Sequence, residues 1–120
     1  MKILLVDDSK AMRMIVRRTL RQAGFDNHEV EEAENGVQAL ELIRSQSPGM
    51  VLSDWNMPEM SGIDLLDAVR GDVCRVKFGF VTSETADEMR ELARSKGADF
   101  FITKPFTGDT FRQILEPMLR

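Results

Sequence analysis

Residues 49–62 read GMVLSDWNMPEMSG, and the chain changes character in the middle of them. Met50, Val51 and Leu52 form a short apolar run with β-branched content, which suits a strand covered on both faces of a parallel sheet. The run stops on Ser53-Asp54. Asp54 is therefore expected at the carboxyl end of a strand, the edge at which open α/β sheets bind ligands. Asn56, Pro58, Ser61 and Gly62 then supply turn chemistry that leads the chain away.

Working outward from this stretch, the same alternation recurs. On its amino-terminal side, Ile3 to Val6 reads as a buried strand ending on Asp7-Asp8-Ser9, where Asp8 or Ser9 can cap the following helix. That helix, from about Lys10 to Ala23, places Met12, Ile15, Val16, Leu20 and Ala23 on one side and ends at Gly24, with a basic opposite side. Val30 to Ala33 is a weaker strand. Asn35-Gly36 opens a second helix, with Val37, Leu40 and Ile43 on one face, which ends at Ser47-Pro48-Gly49. On the carboxyl side, Ser61 to about Arg70 reads as a third helix, and Phe78 to Val81 as a strand ending on Thr82-Ser83. Ala86, Met89, Leu92 and Ala93 mark a fourth helix closed by Gly97. Phe100 to Ile102 is a fifth strand ending on Thr103-Lys104-Pro105, and Phe111, Ile114, Leu115 and Met118 line a last helix that Pro117 is expected to fray or kink. Strands alternating with helices in this way imply right-handed crossovers and a parallel sheet with helices on both faces, a three-layer α/β sandwich.

Composition bounds the function. A chain of 120 residues, 42% hydrophobic and 30% charged, suits one globular domain with a single core, 1–120. Its 16 basic and 20 acidic residues leave a net charge of −4, which argues against bulk nucleic-acid binding. A single cysteine excludes an internal disulfide, and no apolar run has the length of a membrane span, so a reducing, cytoplasmic setting is expected.

In a parallel sheet all carboxyl ends lie on one edge, so Asp7, Asp8, Asp54, Thr82 and Lys104 should converge. Taken singly, each has an ordinary reading as a cap, a turn residue or a solvated loop residue. Taken together they fit one site. Carboxylates of one pocket repel unless a hard divalent cation takes their oxygens, and Mg²⁺ is the natural candidate. A lysine and a hydroxyl beside such a metal suit a phosphoryl group, whose oxygens need a point charge and a donor.

These residues carry a resemblance. LLVDDS at 4–9, LSDWNMPEMSG at 52–62, Thr82-Ser83-Glu84, GAD at 97–99 and ITKPF at 102–106 occur in the order and spacing of bacterial two-component response-regulator receiver domains, and along its whole length the chain resembles the CheY-like single-domain chemotaxis regulators. The resemblance implies a flavodoxin-like fold with sheet order 2-1-3-4-5 and Asp54 as the residue that becomes an aspartyl phosphate. It implies Mg²⁺ ligation by Asp8, Asp54 and the main-chain carbonyl of Asn56, with Asp7 acting mostly through a water. It assigns Lys104 and Thr82 to the phosphoryl oxygens, Phe101 to the role of switch aromatic, Asn56 and Glu84 to the path of the hydrolytic water, and a cis peptide to Lys104-Pro105. The implied partners are a histidine kinase as phosphodonor and a target protein, such as a flagellar motor switch, on the face of the fourth helix, fifth strand and fifth helix. Arg90, Lys96, Phe101 and Arg112 are candidate contacts there. The protein is then a monomeric signalling switch that promotes its own phosphorylation and dephosphorylation, with no nucleic-acid or membrane partner.

Two other functions fit the same residues less well. An aspartyl-phosphate hydrolase wants a second acid two residues after the nucleophile, where this chain has Asn56. A flavin-binding module wants a phosphate-cradling loop after strand one, where Asp7-Asp8 would repel the flavin phosphate. Departures from the family pattern are Phe101, which has no hydroxyl, Arg75-Val76-Lys77 in place of a proline before strand four, and Gly79 inside that strand. Elsewhere, Arg13, Arg17 and Arg21 read as a solvated stripe or a docking stripe for an acidic partner, His28 as an exposed turn residue, and Met57 and Met60 as adaptable loop contacts. Trp55 reads as a partly exposed aromatic beside the site.

Overall fold

The computed structural model describes residues 1–119. The apolar runs form β1 (Lys2–Val6), β2 (Glu29–Ala33), β3 (Met50–Ser53), β4 (Lys77–Thr82) and β5 (Phe100–Thr103). They alternate with α1 (Lys10–Gln22), α2 (Gly36–Gln46), α3 (Gly62–Gly71), α4 (Asp87–Ser95) and α5 (Gly108–Leu119). All strand pairs are parallel, in the order β2-β1-β3-β4-β5. This is the flavodoxin-like order, with the strand direction reversing its progress between β1 and β3.

Side chains alternate across each strand, and here both sides are apolar because both are covered. Ile3, Leu5, Met50, Leu52, Val81, Phe100 and Ile102 pack with Val16 and Leu20 of α1 and Phe111 and Leu115 of α5. Leu4, Val6, Val51, Phe78 and Phe80 face the other way, onto Ala39 and Ile43 of α2, Leu65, Leu66 and Val69 of α3, and Ala93 of α4. The sheet is thus the middle of three layers.

Helix ends follow local chemistry. Ser9 Oγ accepts from Met12 N (3.1 Å), Asn35 Oδ1 from Gln38 N (2.8 Å) and Ser61 Oγ from Asp64 N (3.2 Å), each satisfying a first-turn donor. Gly24 at φ +93° turns the chain out of α1. Pro117 lies inside α5, which runs on to Leu119 rather than breaking there.

Three helix faces differ from the periodic reading. Ile15, Val37 and Leu92 are exposed, while Val16, Ala39 and Ala93 take the inward positions. The helical period cannot distinguish the centre of a face from its margin.

Gly79 has a specific reason. It pairs with Phe100 of β5, and a Cβ on Gly79 would lie 2.1 Å from a carbon of that ring. The glycine makes room for a neighbouring side chain. Gly79→Ala should destabilise the fold by about 1–3 kcal/mol, the range for overpacking a filled core. Urea unfolding measures it, and an unchanged midpoint would mean that Phe100 has room to step aside.

Candidate functional site

Five strand ends meet at the carboxyl edge of the sheet, and those of β1, β3, β4 and β5 carry the polar residues singled out above. Asp7 follows β1. Its N–H donates to Ala33 O (3.2 Å), and its Oδ1 accepts from Ser9 N (2.9 Å), so the side chain is turned by the first residues of the turn that leads to α1. Asp54 follows β3, with its N–H on Val6 O (2.8 Å) and its Oδ1 accepting from Trp55 N (2.8 Å). Lys104 follows β5, and its N–H donates to Thr82 O (2.8 Å) at the end of β4. The Lys104–Pro105 peptide bond is cis.

These backbone bonds bring the side chains together. Asp7, Asp8 and Asp54 each offer a carboxylate oxygen within 4.8 Å of the others, with Asp7 buried, Asp54 half-buried and Asp8 exposed. Lys104 Nζ lies 3.7 Å from Asp7 Oδ2 and 3.9 Å from Asp54 Oδ1. Burial pushes the Asp7 carboxyl above its ordinary range, and the neighbouring charges of Asp54 and Asp8 add to this, while the Ser9 bond and Lys104 work against it. One ammonium among three carboxylates leaves an excess of negative charge. Hard oxygen donors at this spacing fit a divalent cation such as Mg²⁺.

The other expected residues surround this group. Thr82 is fully buried at the end of β4, and its Oγ1 accepts from Glu84 N at 3.3 Å. It does not cap α4, whose N-cap is Ala86 with no side-chain bond. Asn56 Nδ2 donates to Glu84 Oε1 (2.8 Å), tying the loop after β3 to the loop after β4. Gly62 brings the start of α3 against the loop that carries Asp54: its N–H donates to Trp55 O (2.8 Å), and a Cβ there would stand 2.2 Å from Asp54 O.

Trp55 corrects the sequence reading. It is 7% exposed and belongs to the core, its ring centroid 4.8 Å from that of Phe80 and 6.3 Å from that of Phe101. Phe101 is itself half-buried, 6.0 Å from Phe80, with the Arg90 guanidinium 4.8 Å from its ring centre. An unbroken row of rings therefore runs from the residue after Asp54 to the exposed side of α4. Of the other candidate surface contacts, Lys96 pairs with Asp67 (3.1 Å), and Arg112 donates from Nε to Ala23 O (3.2 Å).

The arginines of α1 are a second correction. Arg13 is buried and donates to the main-chain O of Asp7 and to Glu32 Oε1, and Arg17 bonds Glu32 Oε2. Burial alone would raise the Glu32 carboxyl, but the hydrogen bonds and charges of Arg13 and Arg17 hold it below the ordinary glutamate range. The signal was present in the sequence, since the edge strand reads EVEEA beside an arginine-striped helix. Pairing them required the fold.

A parallel sheet of this order, with strand-end aspartates and a lysine gathered at one edge, defines a receiver domain, and the chain belongs to the response regulator receiver domain family, whose sequence pattern matches residues 3–116. Its relatives in sequence include chemotaxis proteins. The chain is 41% identical to the chemotaxis protein CheY of Pseudomonas aeruginosa over 119 residues, covering 97% of this chain and 94% of the relative. It is 40% identical to the chemotaxis protein CheY-3 of Vibrio cholerae over 118 residues, covering 97% and 89%. The crystal structure of CheY4 of Vibrio cholerae superimposes with a TM-score of 0.85 at 33% identity, covering 98% of this chain and 97% of that one. Among the described residues no helix is long and apolar enough to cross a membrane.

Proposed function

We propose that the protein is a phosphorylation-dependent switch of chemotaxis, in which Asp54 takes a phosphoryl group from a phosphohistidine on a kinase. The observation that carries this reading is the Asp54 carboxylate at a strand end, with Lys104 Nζ 3.9 Å away and two more aspartates beside it. A carboxylate oxygen of Asp54 forms the new bond to phosphorus as the bond from phosphorus to the imidazole nitrogen breaks, and the electron pair leaves with the imidazole. A carboxylate nucleophile needs no general base for this attack.

Asp7, Asp8 and Asp54, with the main-chain carbonyl of Asn56, would hold Mg²⁺, which when bound neutralises charge on the transferred oxygens. Lys104 supplies a point charge on the same side. Thr82, buried at the adjacent strand end, offers its hydroxyl to a phosphoryl oxygen by giving up the bond from Glu84 N. Phe101 then moves further inward and changes the surface made by α4, β5 and α5. An acidic or amphipathic segment of a target protein would read that surface, with a component of the flagellar motor switch as the target. The named chemotaxis relatives support this pathway, and the net charge of −4 favours a protein over a nucleic-acid partner. Incubation with Mg²⁺ and a small acyl phosphate, followed by intact-mass analysis, tests the central step. No gain of one phosphoryl group would overturn it.

The signal should also be brief. Asn56 and Glu84 are polar, moderate in size and bonded to each other, so neither fills the approach to Asp54 as a larger side chain would. Asn56→Arg would pair with Glu84 across that approach and slow hydrolysis. Phosphoprotein decay timed after rapid removal of the donor, with Mg²⁺ retained, should be slower in the variant; equal rates would mean that these side chains do not gate the water.

A further inference from the structure

The turn that carries Asp7 and Asp8 is short, and its side chains repel one another and Asp54. Something must hold its backbone. The geometry points to Arg13 as a positioning residue for the acidic pocket: its guanidinium clamps the main chain of Asp7 and is itself held by Glu32, whose other oxygen is held by Arg17.

The arrangement is specific in where the charge is spent. Arg13 Nη1 donates to the main-chain O of Asp7, and Arg13 Nε donates to Glu32 Oε1 at 2.7 Å. Glu32 Oε2 accepts from Arg17 Nη2 at 3.0 Å, and the same Arg17 nitrogen donates to Val30 O at 3.2 Å. The chain of bonds thus runs from the edge strand β2 through α1 to the end of β1. Hydrogen bonds from an ionised donor are roughly twice as strong as neutral ones. The fork geometry of arginine lets one side chain join two strands at once, which lysine cannot do.

Arg13 is only 8% exposed, and with Val16 of α1 it lines a small cavity beneath Asp7 and Asp54, walled by Leu5, Leu52 and Val81. Its guanidinium bonds the main-chain carbonyl of Asp7 and the Glu32 carboxylate rather than the pocket carboxylates. Lys104, by contrast, lies close to the carboxylate oxygens themselves. The clamp therefore steadies the turn while leaving those oxygens available to a cation. Groups that orient metal ligands from behind typically change metal affinity 10–100-fold when removed.

This inference rests on the reading that the pocket takes Mg²⁺, and the sign of the effect separates the two. By charge alone, removing a cation from beside three carboxylates would tighten Mg²⁺ binding. The clamp requires the opposite. Mg²⁺ titration of the unphosphorylated protein, followed by Trp55 fluorescence and by calorimetry, should show affinity weakened about tenfold in Arg13→Met. Arg13→Lys keeps the charge but not the fork, and should fall between Arg13→Met and wild type. Glu32→Gln, at a part-exposed position, should weaken binding in the same direction, and it serves if the Arg13 variants fail to fold. The double variant Arg13→Met/Glu32→Gln should be no weaker than Arg13→Met, because Glu32 acts through Arg13; general loosening of the fold would instead give additive losses. Unchanged or tighter binding in Arg13→Lys and Glu32→Gln, or full additivity, overturns the clamp. A wild-type protein that binds no Mg²⁺ overturns the reading of the site and the clamp with it.

Discussion

Asp54→Asn should take up no phosphoryl group under conditions in which the wild-type protein takes up one. The carboxamide is not a nucleophile towards phosphorus, and it also withdraws a negative donor from the group formed with Asp7 and Asp8. Its size is nearly unchanged, and an oxygen remains to accept from Trp55 N, so the loop geometry should survive. The comparison is therefore chemical rather than structural. Intact-mass analysis after incubation with Mg²⁺ and an acyl- or amidophosphate donor reads the result directly. Equal labelling of both proteins would place the acceptor elsewhere.

The second large effect concerns output. Phe101→Ala should still be phosphorylated, yet phosphorylation should no longer raise its affinity for the target. The unphosphorylated ring is half-buried, resting on Trp55 and Phe80 with Arg90 over its outer side, so it has further to go. Full burial of such a side chain is worth roughly 1.5–3 kcal/mol, which shifts a two-state equilibrium about ten- to a hundredfold. Phe101 has no hydroxyl with which to lock either position, so burial and the contact with Arg90 must set the balance; an exposed cation over a ring contributes about 0.5–1 kcal/mol. Thr82 lies two residues beyond Phe80 on β4, and Phe80 pairs with Phe101, so Thr82, Phe80 and Phe101 share one face of the sheet. A movement of the Thr82 hydroxyl thus opens space on the side to which the ring turns. Partner affinity measured with and without phosphorylation, in wild type and Phe101→Ala, gives the answer. If affinity still rises on phosphorylation without the ring, the partner reads the phosphoryl site itself.

Much of the architecture was legible before any coordinates. Each apolar run of four or so residues ended on polar groups, and each was followed by residues at helical spacing, which is enough to define a parallel sheet covered on both faces. Because a parallel sheet has a single carboxyl edge, the convergence of Asp7, Asp54, Thr82 and Lys104 followed from topology alone, and the distances of Lys104 to the two aspartates agree with it. Strand order came from the resemblance, not from periodicity.

What the chain could not show locally was which residues a side chain would meet. Trp55 sits in a polar loop sequence beside Asn56 and Pro58, and only the rings of Phe80 and Phe101, delivered by two later strands, make it part of the core. Gly79 looks like a weak point in a strand until Phe100 is placed over it. Arg13 and Arg17 follow the same helical spacing as Arg21, and nothing nearby in sequence separates a buried guanidinium from a solvated one. The burial of Arg13 and the pairing of Arg17 depend on Glu32, brought opposite them when β2 pairs with β1. Periodicity records the direction in which a side chain points from its own backbone. The group that opposes it is chosen by strand pairing and helix packing across the fold, so the gathering of Asp7, Asp54 and Lys104 at one edge could be read from the sequence, whereas the clamp behind the pocket and the aromatic row leading away from it required the tertiary structure.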